Sequence, residues 1–234
     1  MTGPAPVVPG RIGVLGGTFD PIHVGHLAIA EAARDELGLE RVLFVPARIP
    51  PHRSTAPRAS AEDRAAMVRL AIEPNPAFEL SLVELEREGP SFTADTVERL
   101  AADQRATGRV PDLWFIVSTE AFTGFLTWQE PPRVLAAARL AVLPREGHEP
   151  TDLGPVRAAL PGQADRVVAL DGPRIHVSAT EIRARAGRGL SVRYLVPDAV
   201  AAYIADHRLY RSAPDMTDEA NPAASPDPGG TSVP

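Results

Sequence analysis

The 234-residue sequence contains no lysine and no cysteine, and all 24 of its basic residues are arginines. The lack of lysine excludes Schiff-base enzymes, a pyridoxal-phosphate anchor and a P-loop of the GK[ST] type, because each needs a primary amine in the site. The lack of cysteine excludes disulfides, thiolate zinc sites, iron–sulfur clusters and thiol nucleophiles. Any charged contact to a phosphate must therefore come from arginine, protonated histidine or a metal ion.

Long hydrophobic runs are also absent. No segment approaches the roughly 18 apolar residues that a membrane helix requires. Residues 1–10 contain no basic residue ahead of an apolar stretch, so they do not resemble a signal peptide. We therefore expect a cytoplasmic protein that does not contact a membrane.

The net charge of −6 is unevenly distributed. From Pro214 to Pro234 the chain has five prolines, four acidic residues and no arginine, which predicts a disordered, Pro-rich acidic tail over residues 212–234. The rest carries a charge of only −2, and an acidic balance argues against a general nucleic-acid-binding surface. Residues 1–10, with three prolines and no charge, predict a flexible leader, so the folded domain is expected at residues 11–211.

Strand and helix patterns alternate within this domain. Four apolar runs have the length of strands: Arg11–Leu15, Arg41–Val45, Asp112–Val117 and Arg139–Leu143. Helical patterns are found at His26–Leu37, Ala61–Ile72, Thr93–Ala106, Pro132–Ala138, Ala179–Ala186 and Asp198–His207. Two more segments are expected to be edge strands: Val167–Leu170 and Arg174–Val177. The pattern predicts a single α/β domain with a Rossmann-like parallel sheet, helices on both faces and a ligand site at the carboxyl ends of the strands.

The most informative segment, GGTFDPIHVGH, follows the first predicted strand and runs from Gly16 to His26. Glycines at a strand end allow backbone N–H groups to approach a ligand closely. His23 and His26 are three residues apart in the first turn of a helix, so they share one face near the positive end of its dipole, and Gly25 leaves room for a bulky group. The combination favours an anion such as a nucleotide phosphate.

The same residues are also compatible with a metal site or with purely structural roles. Two histidines at this spacing could bind a metal ion, although zinc usually takes a third protein ligand. Asp20, which precedes a proline, is more typical of a turn or cap than of a catalyst. We expect no metal ligands among the protein side chains.

The run GGTFDPIHVGH resembles the signature of the HxGH nucleotidyltransferases, and most closely that of the bacterial nicotinate-nucleotide adenylyltransferases. The resemblance implies that His23 and His26 contact the phosphates of ATP and stabilise the transition state of adenylyl transfer. It implies that the rest of the ATP site includes Gly16, Gly17, Thr18 and Phe19.

A second motif begins the helix expected near residue 179. Ser178 and Glu181 form an S-x-x-E capping box, which accounts for both without any function. A cation in the first turn, as at Arg183, opposes the helix dipole unless an anion lies nearby. The segment resembles the S-x-T-x-x-R motif of the same family, which implies phosphate contacts from Ser178, Thr180 and Arg183 and a catalytic role for Arg183.

Three further segments resemble the acceptor side of the family site. The loop at Pro50–Arg53 resembles its P-P-H-[KR] loop, and Pro90–Thr96 resembles its P-S-[YF]-T-x-[DQ]-T segment. The implied ligands of nicotinate mononucleotide are His52, Arg53, Thr93 and Trp128, the last by stacking on the pyridine ring. Without a ligand, the same segments would be a solvated proline-rich loop, a helix start and a tryptophan packed in the core.

One segment departs from the family pattern. After Val117 the family usually has Gly-x-Asp, whereas this chain has Ser118, Thr119 and Glu120. Loss of the glycine restricts close approach of the backbone, and glutamate reaches one methylene farther than aspartate. We therefore expect altered affinity or substrate choice at this point, with Glu120 as a substitute for the aspartate.

The resemblance implies Mg²⁺-dependent transfer of AMP from ATP to nicotinate mononucleotide, with deamido-NAD and pyrophosphate as products. Nicotinamide mononucleotide, phosphopantetheine or a CTP-using acceptor are the alternatives within the superfamily. Class I aminoacyl-tRNA synthetases share an HxGH-type turn, but their KMSKS motif contains lysines that this chain lacks. A nucleotide sensor without turnover is the alternative from another functional class, and self-association into a homo-oligomer remains open.

Overall fold

The computed structural model describes residues 3–50, 56–147 and 151–211. His52 and Arg53 of the predicted acceptor loop, and the predicted tail at 212–234, lie outside the described residues. Within them, the strands are β1 (Val8–Gly17), β2 (Leu39–Pro46), β3 (Phe78–Leu80), β4 (Asp112–Ser118), β5 (Arg139–Leu143) and β6 (Val167–Ala169). They form one parallel sheet in the order β3-β2-β1-β4-β5-β6.

Helices of varied length connect these strands. They are α1 (Val24–Leu37), α2 (Ala61–Ile72), α3 (Thr93–Ala106), α4 (Thr119–Thr123), α5 (Pro131–Ala137), α6 (Gly154–Ala159), α7 (Ala179–Gly187) and α8 (Asp198–Asp206). No helix in the described ranges is long and apolar enough to cross a membrane.

The alternation of side chains along each strand supplies a separate core on each face of the sheet. In β4, Ile116 packs into the core that contains residues of α1, α2, α7 and α8. Its neighbours Phe115 and Val117 pack into the other core, with residues of α3, α4, α5 and α6. Burial on both faces explains why the strands are apolar almost throughout. The predicted Rossmann-like α/β fold is confirmed.

Some element boundaries differ from the sequence prediction. Strand β1 begins at Val8, so residues 8–10 are not part of a flexible leader. The amide of Val8 donates to the carbonyl of Gly38 and that of Ala5 to the carbonyl of Asp35, which ties this segment to the end of α1. A proline-rich, uncharged sequence is therefore held by backbone hydrogen bonds that its composition does not reveal.

Two edge segments also differ. Strand β3 was not predicted, because it has three residues and only Phe78 is fully buried, so no period-two pattern is visible. The segment 174–177, expected to be an edge strand, is not a strand. The backbone of this segment makes a local hydrogen bond, from the amide of Val177 to the carbonyl of Ile175. Both residues line a cavity.

The strand order determines where a ligand can bind. The chain connects β1 to β2 on one side and places β4 on the other side of β1. Connections that leave adjacent strands in opposite directions open a crevice at their carboxyl ends, which is where ligands bind in open α/β sheets. In this chain that crevice lies beyond Gly17 and Ser118.

Candidate active site

A cavity of about 560 Å³ occupies the crevice at the carboxyl ends of β1 and β4. Its walls include the turn after β1, the end of β4, the loop before α3 and the start of α7. A larger cavity of about 650 Å³ lies between α7 and α8, but it contains none of the residues of the sequence motifs. The smaller cavity is the candidate site because the predicted residues converge there.

His23 and His26 meet at the first turn of α1. Their rings stack with centroids 3.7 Å apart and planes inclined by 23°. The backbone N–H of His23 donates to Nδ1 of His26 over 3.2 Å, so the proton of a neutral His26 ring is on Nε2. Phe19 packs edge-on against His26 at 5.1 Å between centroids. This pair has the predicted placement on one face near the helix N-terminus.

His23 is neutral at pH 7. Its side chain is only 7% exposed, and burial lowers the pKa of the imidazole to about 4, with a further lowering by the positive charge of Arg145. Nδ1 of His23 is buried without a hydrogen-bond partner. His23 therefore offers a hydrogen-bonding group and not a positive charge.

Three glycines of the site lie close to neighbouring aromatic rings. A Cβ at Gly25 would lie 3.1 Å from Nδ1 of His23, so the space next to Gly25 is occupied by the histidine ring itself. A Cβ at Gly16 would lie 3.1 Å from the Phe115 ring, and one at Gly17 would lie 3.0 Å from the Phe19 ring. These distances are tighter than ordinary Cβ contacts, so a larger residue at any of the three positions would push the neighbouring ring by a few tenths of an ångström.

Asp20 is buried and accepts three hydrogen bonds. The amides of Arg58 and Ala59 donate to its carboxylate at 2.9 and 3.1 Å, and the Tyr210 hydroxyl donates at 3.0 Å. Burial raises the pKa of that hydroxyl above its usual range, and the Asp20 carboxylate raises it further. These partners give Asp20 a structural role in joining the β1 turn to the start of α2 and to the end of the described chain.

Arg183 reaches the same turn from α7. Its Nη1 donates to the backbone carbonyl of Asp20 over 2.7 Å, and its Nη2 donates to Oγ1 of Thr180 over 3.1 Å. Ser178 caps α7 by accepting from the amide of Glu181, so the predicted capping role of Ser178 is supported. Ser178 and Thr180 line the cavity, whereas Arg183 lies behind them against Asp20.

Arg64 is a site-supporting residue that sequence reasoning missed. It is 1% exposed, and its Nη1 donates to the carbonyls of Thr18 and Ala47, both over 2.7 Å. These carbonyls follow β1 and β2, so one guanidinium joins the ends of two neighbouring strands. A signal was present, because Arg64 shares the helical face of Met67, Val68 and Ala71, which are all buried.

The acceptor side of the cavity combines predicted and unpredicted residues. Thr93 and Trp128 line the cavity as expected. Trp128 also packs edge-on against Phe115 and Phe125, at 6.1 and 5.4 Å between centroids, so its core contacts are real. Glu84 was not predicted; it lines the cavity and accepts from the Thr96 hydroxyl over 2.7 Å.

Glu84 is an unusual carboxyl for this position because it is buried. Burial raises its pKa, and hydrogen bonds from Thr96 and Ser91 and the charges of Arg87 and Arg64 partly oppose that rise. Ser91 in turn accepts from the amide of Arg48, which ties the chain just after β2 to the segment before α3. Glu84 thus anchors one wall of the cavity through hydroxyl groups.

The segment that departs from the family pattern opens α4. Ser118 is the N-cap and accepts from the amide of Ala121 over 3.3 Å. Glu120 forms an ion pair with Arg145, which follows β5, and both residues line the cavity together with Ser118. Glu120 is therefore positioned at the cavity edge, and its partner is an arginine outside every predicted motif.

The described residues do not form a metal cage. Among them, no group of three or more histidine, aspartate or glutamate side chains could hold an ion. The Asp20 carboxylate already accepts from three protein donors, and Glu120 is paired with Arg145.

The structure thus brings most of the predicted residues into one place. The cavity is lined by the predicted residues Gly16, Gly17, Thr18, Phe19, Asp20, His23, His26, Thr93, Ser118, Glu120, Trp128, Ser178 and Thr180. Arg183 contacts this group from behind. Residues 16–26 and 178–183 are far apart in sequence, so their convergence is a product of the fold.

Comparison with known proteins identifies the family of this chain. The profile of the cytidylyltransferase-like family matches residues 14–185. A probable nicotinate-nucleotide adenylyltransferase of Symbiobacterium thermophilum is 45% identical over 207 residues, covering 86% of this chain and 95% of the relative. One from Herpetosiphon aurantiacus is 46% identical over 200 residues, covering 86% and 98%.

Solved structures agree with the fold. The nicotinic acid mononucleotide adenylyltransferase of Plasmodium falciparum, complexed with NaAD, has a TM-score of 0.68 at 16% identity, covering 86% of this chain and 97% of that one. A putative nicotinate-nucleotide adenylyltransferase from Vibrio parahaemolyticus has a TM-score of 0.62 at 15% identity, covering 87% and 96%. At such identities these structures bear on the fold alone. The profile match and the curated relatives show that this chain belongs to the nicotinate-nucleotide adenylyltransferase family of nucleotidyltransferase enzymes.

Proposed function

We propose that this enzyme transfers AMP from ATP to nicotinate mononucleotide, giving deamido-NAD and pyrophosphate, as a step of NAD biosynthesis. The observation that carries the proposal is the stacked pair His23 and His26 at the N-terminus of α1, in a cavity that also contains the start of α7. Two helix N-termini at one cavity provide backbone N–H groups for a polyphosphate.

The reaction needs alignment more than base catalysis. An oxygen of the acceptor's 5′-phosphate attacks the α-phosphorus of ATP, and the bond from that phosphorus to the bridging oxygen of the β-phosphate breaks. The nucleophile is already an anion, so no strong general base is required. Rate enhancement then comes from orientation and from donors placed where charge develops, in the roles we assign to His23, His26 and Arg183.

The three proposed donors, His23, His26 and Arg183, lie in different environments and contribute differently. His23, being neutral, donates or accepts a hydrogen bond without a net charge. His26 has its Nδ1 engaged as an acceptor, which leaves the Nε2 proton as the donor of its neutral ring. Arg183, held by the Asp20 carbonyl, supplies positive charge behind the β1 turn.

Nucleotidyltransferases that act on ATP generally use a divalent metal ion. We infer that the ion here is Mg²⁺, held by the phosphate oxygens of ATP and by water, with no ligand from a protein side chain. When bound, it neutralises charge on the phosphates and on the leaving pyrophosphate.

The acceptor preference rests on the wall that holds Thr93 and Trp128. The proposed contacts of His52 and Arg53 with nicotinate mononucleotide lie outside the described residues. Nicotinamide mononucleotide is the alternative acceptor, and a nucleotide sensor is the alternative function. The cytoplasmic location, the disordered tail and any homo-oligomer stay predictions from the sequence.

The test is pyrophosphate release from ATP with nicotinate mononucleotide or nicotinamide mononucleotide as the acceptor. We expect pyrophosphate to be released only when both the enzyme and an acceptor are present. The kcat/KM should be higher with nicotinate mononucleotide than with nicotinamide mononucleotide. The variant His26→Ala should lose about 10²–10³ in kcat, because a donor to developing charge is removed, while circular dichroism shows that it stays folded.

The matched control is His207→Ala, since His207 is exposed and is not among the residues that line the cavity. Near-normal turnover by His26→Ala would contradict the catalytic assignment. Binding of ATP without pyrophosphate release for any acceptor would contradict the enzymatic proposal and favour the sensor.

A further inference from the structure

We propose that Arg145 is a phosphate-contacting residue of the cavity and binds the polyphosphate chain of the nucleotide. The inference rests on the proposed function only in taking ATP as that nucleotide. Arg145 belongs to none of the motifs that pointed to the site, so its assignment comes from its position, its partner and the surrounding charges.

The position of Arg145 follows from the sheet. Strand β5 pairs with β4, with Leu143 opposite Ser118, so the segment after β5 emerges beside the start of α4. Arg145 comes two residues after β5 and lines the cavity together with Ser118 and Glu120. It therefore lies at the carboxyl edge of the sheet, where the other predicted phosphate contacts also lie.

Arg145 is the main source of positive charge among the described residues that line the cavity. Among the described residues that line the cavity, it is the one arginine, and the chain has no lysine. His23, with a pKa of about 4, carries no charge at neutral pH. A polyphosphate that enters this cavity meets Arg145 as its main cationic side chain there.

Other arginines near the site are occupied by protein groups. Arg183 donates to the Asp20 carbonyl and to the Thr180 hydroxyl. Arg64 is buried and donates to the carbonyls of Thr18 and Ala47. Arg48 donates to two carbonyls in the segment before α3. Each of these guanidinium groups donates to backbone carbonyls of the site, whereas the partner described for Arg145 is the carboxylate of Glu120. Arg183 keeps the role proposed for it behind the β1 turn.

The partner of Arg145 is compatible with phosphate binding. The ion pair with Glu120 uses Nη1, and the two side chains are 38% and 50% exposed. Ion pairs with this exposure are weak in water. A guanidinium has five N–H donors in a planar fork that matches phosphate oxygens, so a phosphate of higher charge can compete with or join the carboxylate.

The charge of Arg145 acts on His23. Its positive charge is one of the two causes of the lowered pKa of His23. Both residues line the same cavity, so the guanidinium and the imidazole face the same space. A single polyphosphate can contact both groups.

The experiment compares nucleotide binding by the full-length protein and its variants with isothermal titration calorimetry. The probes are α,β-methylene ATP with Mg²⁺, and adenosine. Arg145→Gln should weaken binding of the ATP analogue about 10- to 100-fold, which is the loss of one charge-assisted contact, and leave adenosine binding unchanged. Arg145→Lys should retain most of the affinity, because it keeps the charge.

The control is Arg99→Gln, which removes an exposed arginine paired with Asp103 on α3 and should bind both probes like the wild type. A second readout is the NMR titration of His23, whose pKa should rise in Arg145→Gln and not in Arg99→Gln. Both measurements require a folded protein but no catalytic turnover. Because the Arg145 side chain is partly exposed, we expect the substitution to leave the core intact.

Two results would overturn the proposal: unchanged affinity of Arg145→Gln for the ATP analogue, and an equal loss of affinity for adenosine and the analogue. The first would leave Arg145 as a structural partner of Glu120, and the second would indicate a general distortion. The assay contains no acceptor. Absence of turnover with nicotinate mononucleotide would therefore contradict the proposed reaction without affecting this result.

Discussion

Single buried polar side chains hold the active-site turn in place. Asp20 and Arg64 are buried, yet each makes several hydrogen bonds to backbone groups from different elements. Burial of a polar group is tolerated when its hydrogen bonds are made and costly when a partner is left without one. The sequence alone identifies the turn but not these supports, since each depends on contacts with distant backbone.

Arg64→Met tests the most buried of these supports. The substitution keeps an unbranched side chain but leaves the carbonyls of Thr18 and Ala47 without their donor. We expect the free energy of unfolding to fall by about 3 kcal/mol, from the loss of hydrogen bonds to a charged group. Urea denaturation measures this change.

Arg69→Met is the matched control, because Arg69 is exposed on the same helix. Its effect should stay within about 0.5 kcal/mol, as for most surface substitutions. If the two variants lose equal stability, the hydrogen bonds of Arg64 are not what stabilises the turn.

At the scale of elements, the periodic segments were predictable and the short or unpaired ones were not. Helices α2 and α3 have the predicted bounds, because their apolar residues recur at helical spacing. Strand β3 was missed, since three residues carry no readable alternation. The segment 174–177 was wrongly predicted as a strand, because apolar residues that line a cavity have the same pattern as residues that pair in a sheet.

The packing of the carboxyl-terminal helix could also not be predicted from the local sequence pattern. Helix α8 contacts α2 through the Tyr203 hydroxyl, which donates to Asp63 over 2.9 Å. After the helix, the Tyr210 hydroxyl reaches Asp20, 190 positions away in the sequence. Contacts of this range depend on the complete fold.

Tyr210→Phe tests whether this segment stabilises the active-site turn. The variant keeps the ring but removes one of the donors to the Asp20 carboxylate, whose other partners are the amides of Arg58 and Ala59. We expect a loss of about 2 kcal/mol in the free energy of unfolding. Thermal and urea unfolding measure it, with Tyr194→Phe as the control because Tyr194 is 86% exposed. Equal stability of the Tyr210 variant and the wild type would refute the proposed anchor.

For the whole molecule, topology explains why the site could be located from the sequence. Strand and helix alternation predicts a parallel sheet, and such sheets bind ligands at the carboxyl ends where the strand order reverses. The motifs at residues 16–26 and 178–183 both begin helices at that edge, and residues of both motifs line the cavity. Glu84 and Arg145 were missed because a charged residue outside a motif has no local feature that marks it as facing a cavity.

The burial of His23 also affects the stability of the whole protein. Its pKa is about 4 in the folded state and near 6.5 in the unfolded chain. Between these values the unfolded state binds more protons than the folded state, so stability falls as pH decreases. The loss begins near pH 6.5 and is complete below about pH 4, where it amounts to about 3 kcal/mol.

His23→Asn isolates this contribution, because asparagine does not titrate. We expect the difference in unfolding free energy between His23→Asn and the wild type to shift in favour of the variant as pH falls from 7 to 4.5. Urea unfolding at several pH values measures it. Comparison with the wild type is essential, since the buried Glu84, whose pKa is raised, acts in the opposite direction in both proteins. His207→Asn, at an exposed histidine, serves as the control. A constant difference across this pH range would mean that His23 is not buried in its neutral form.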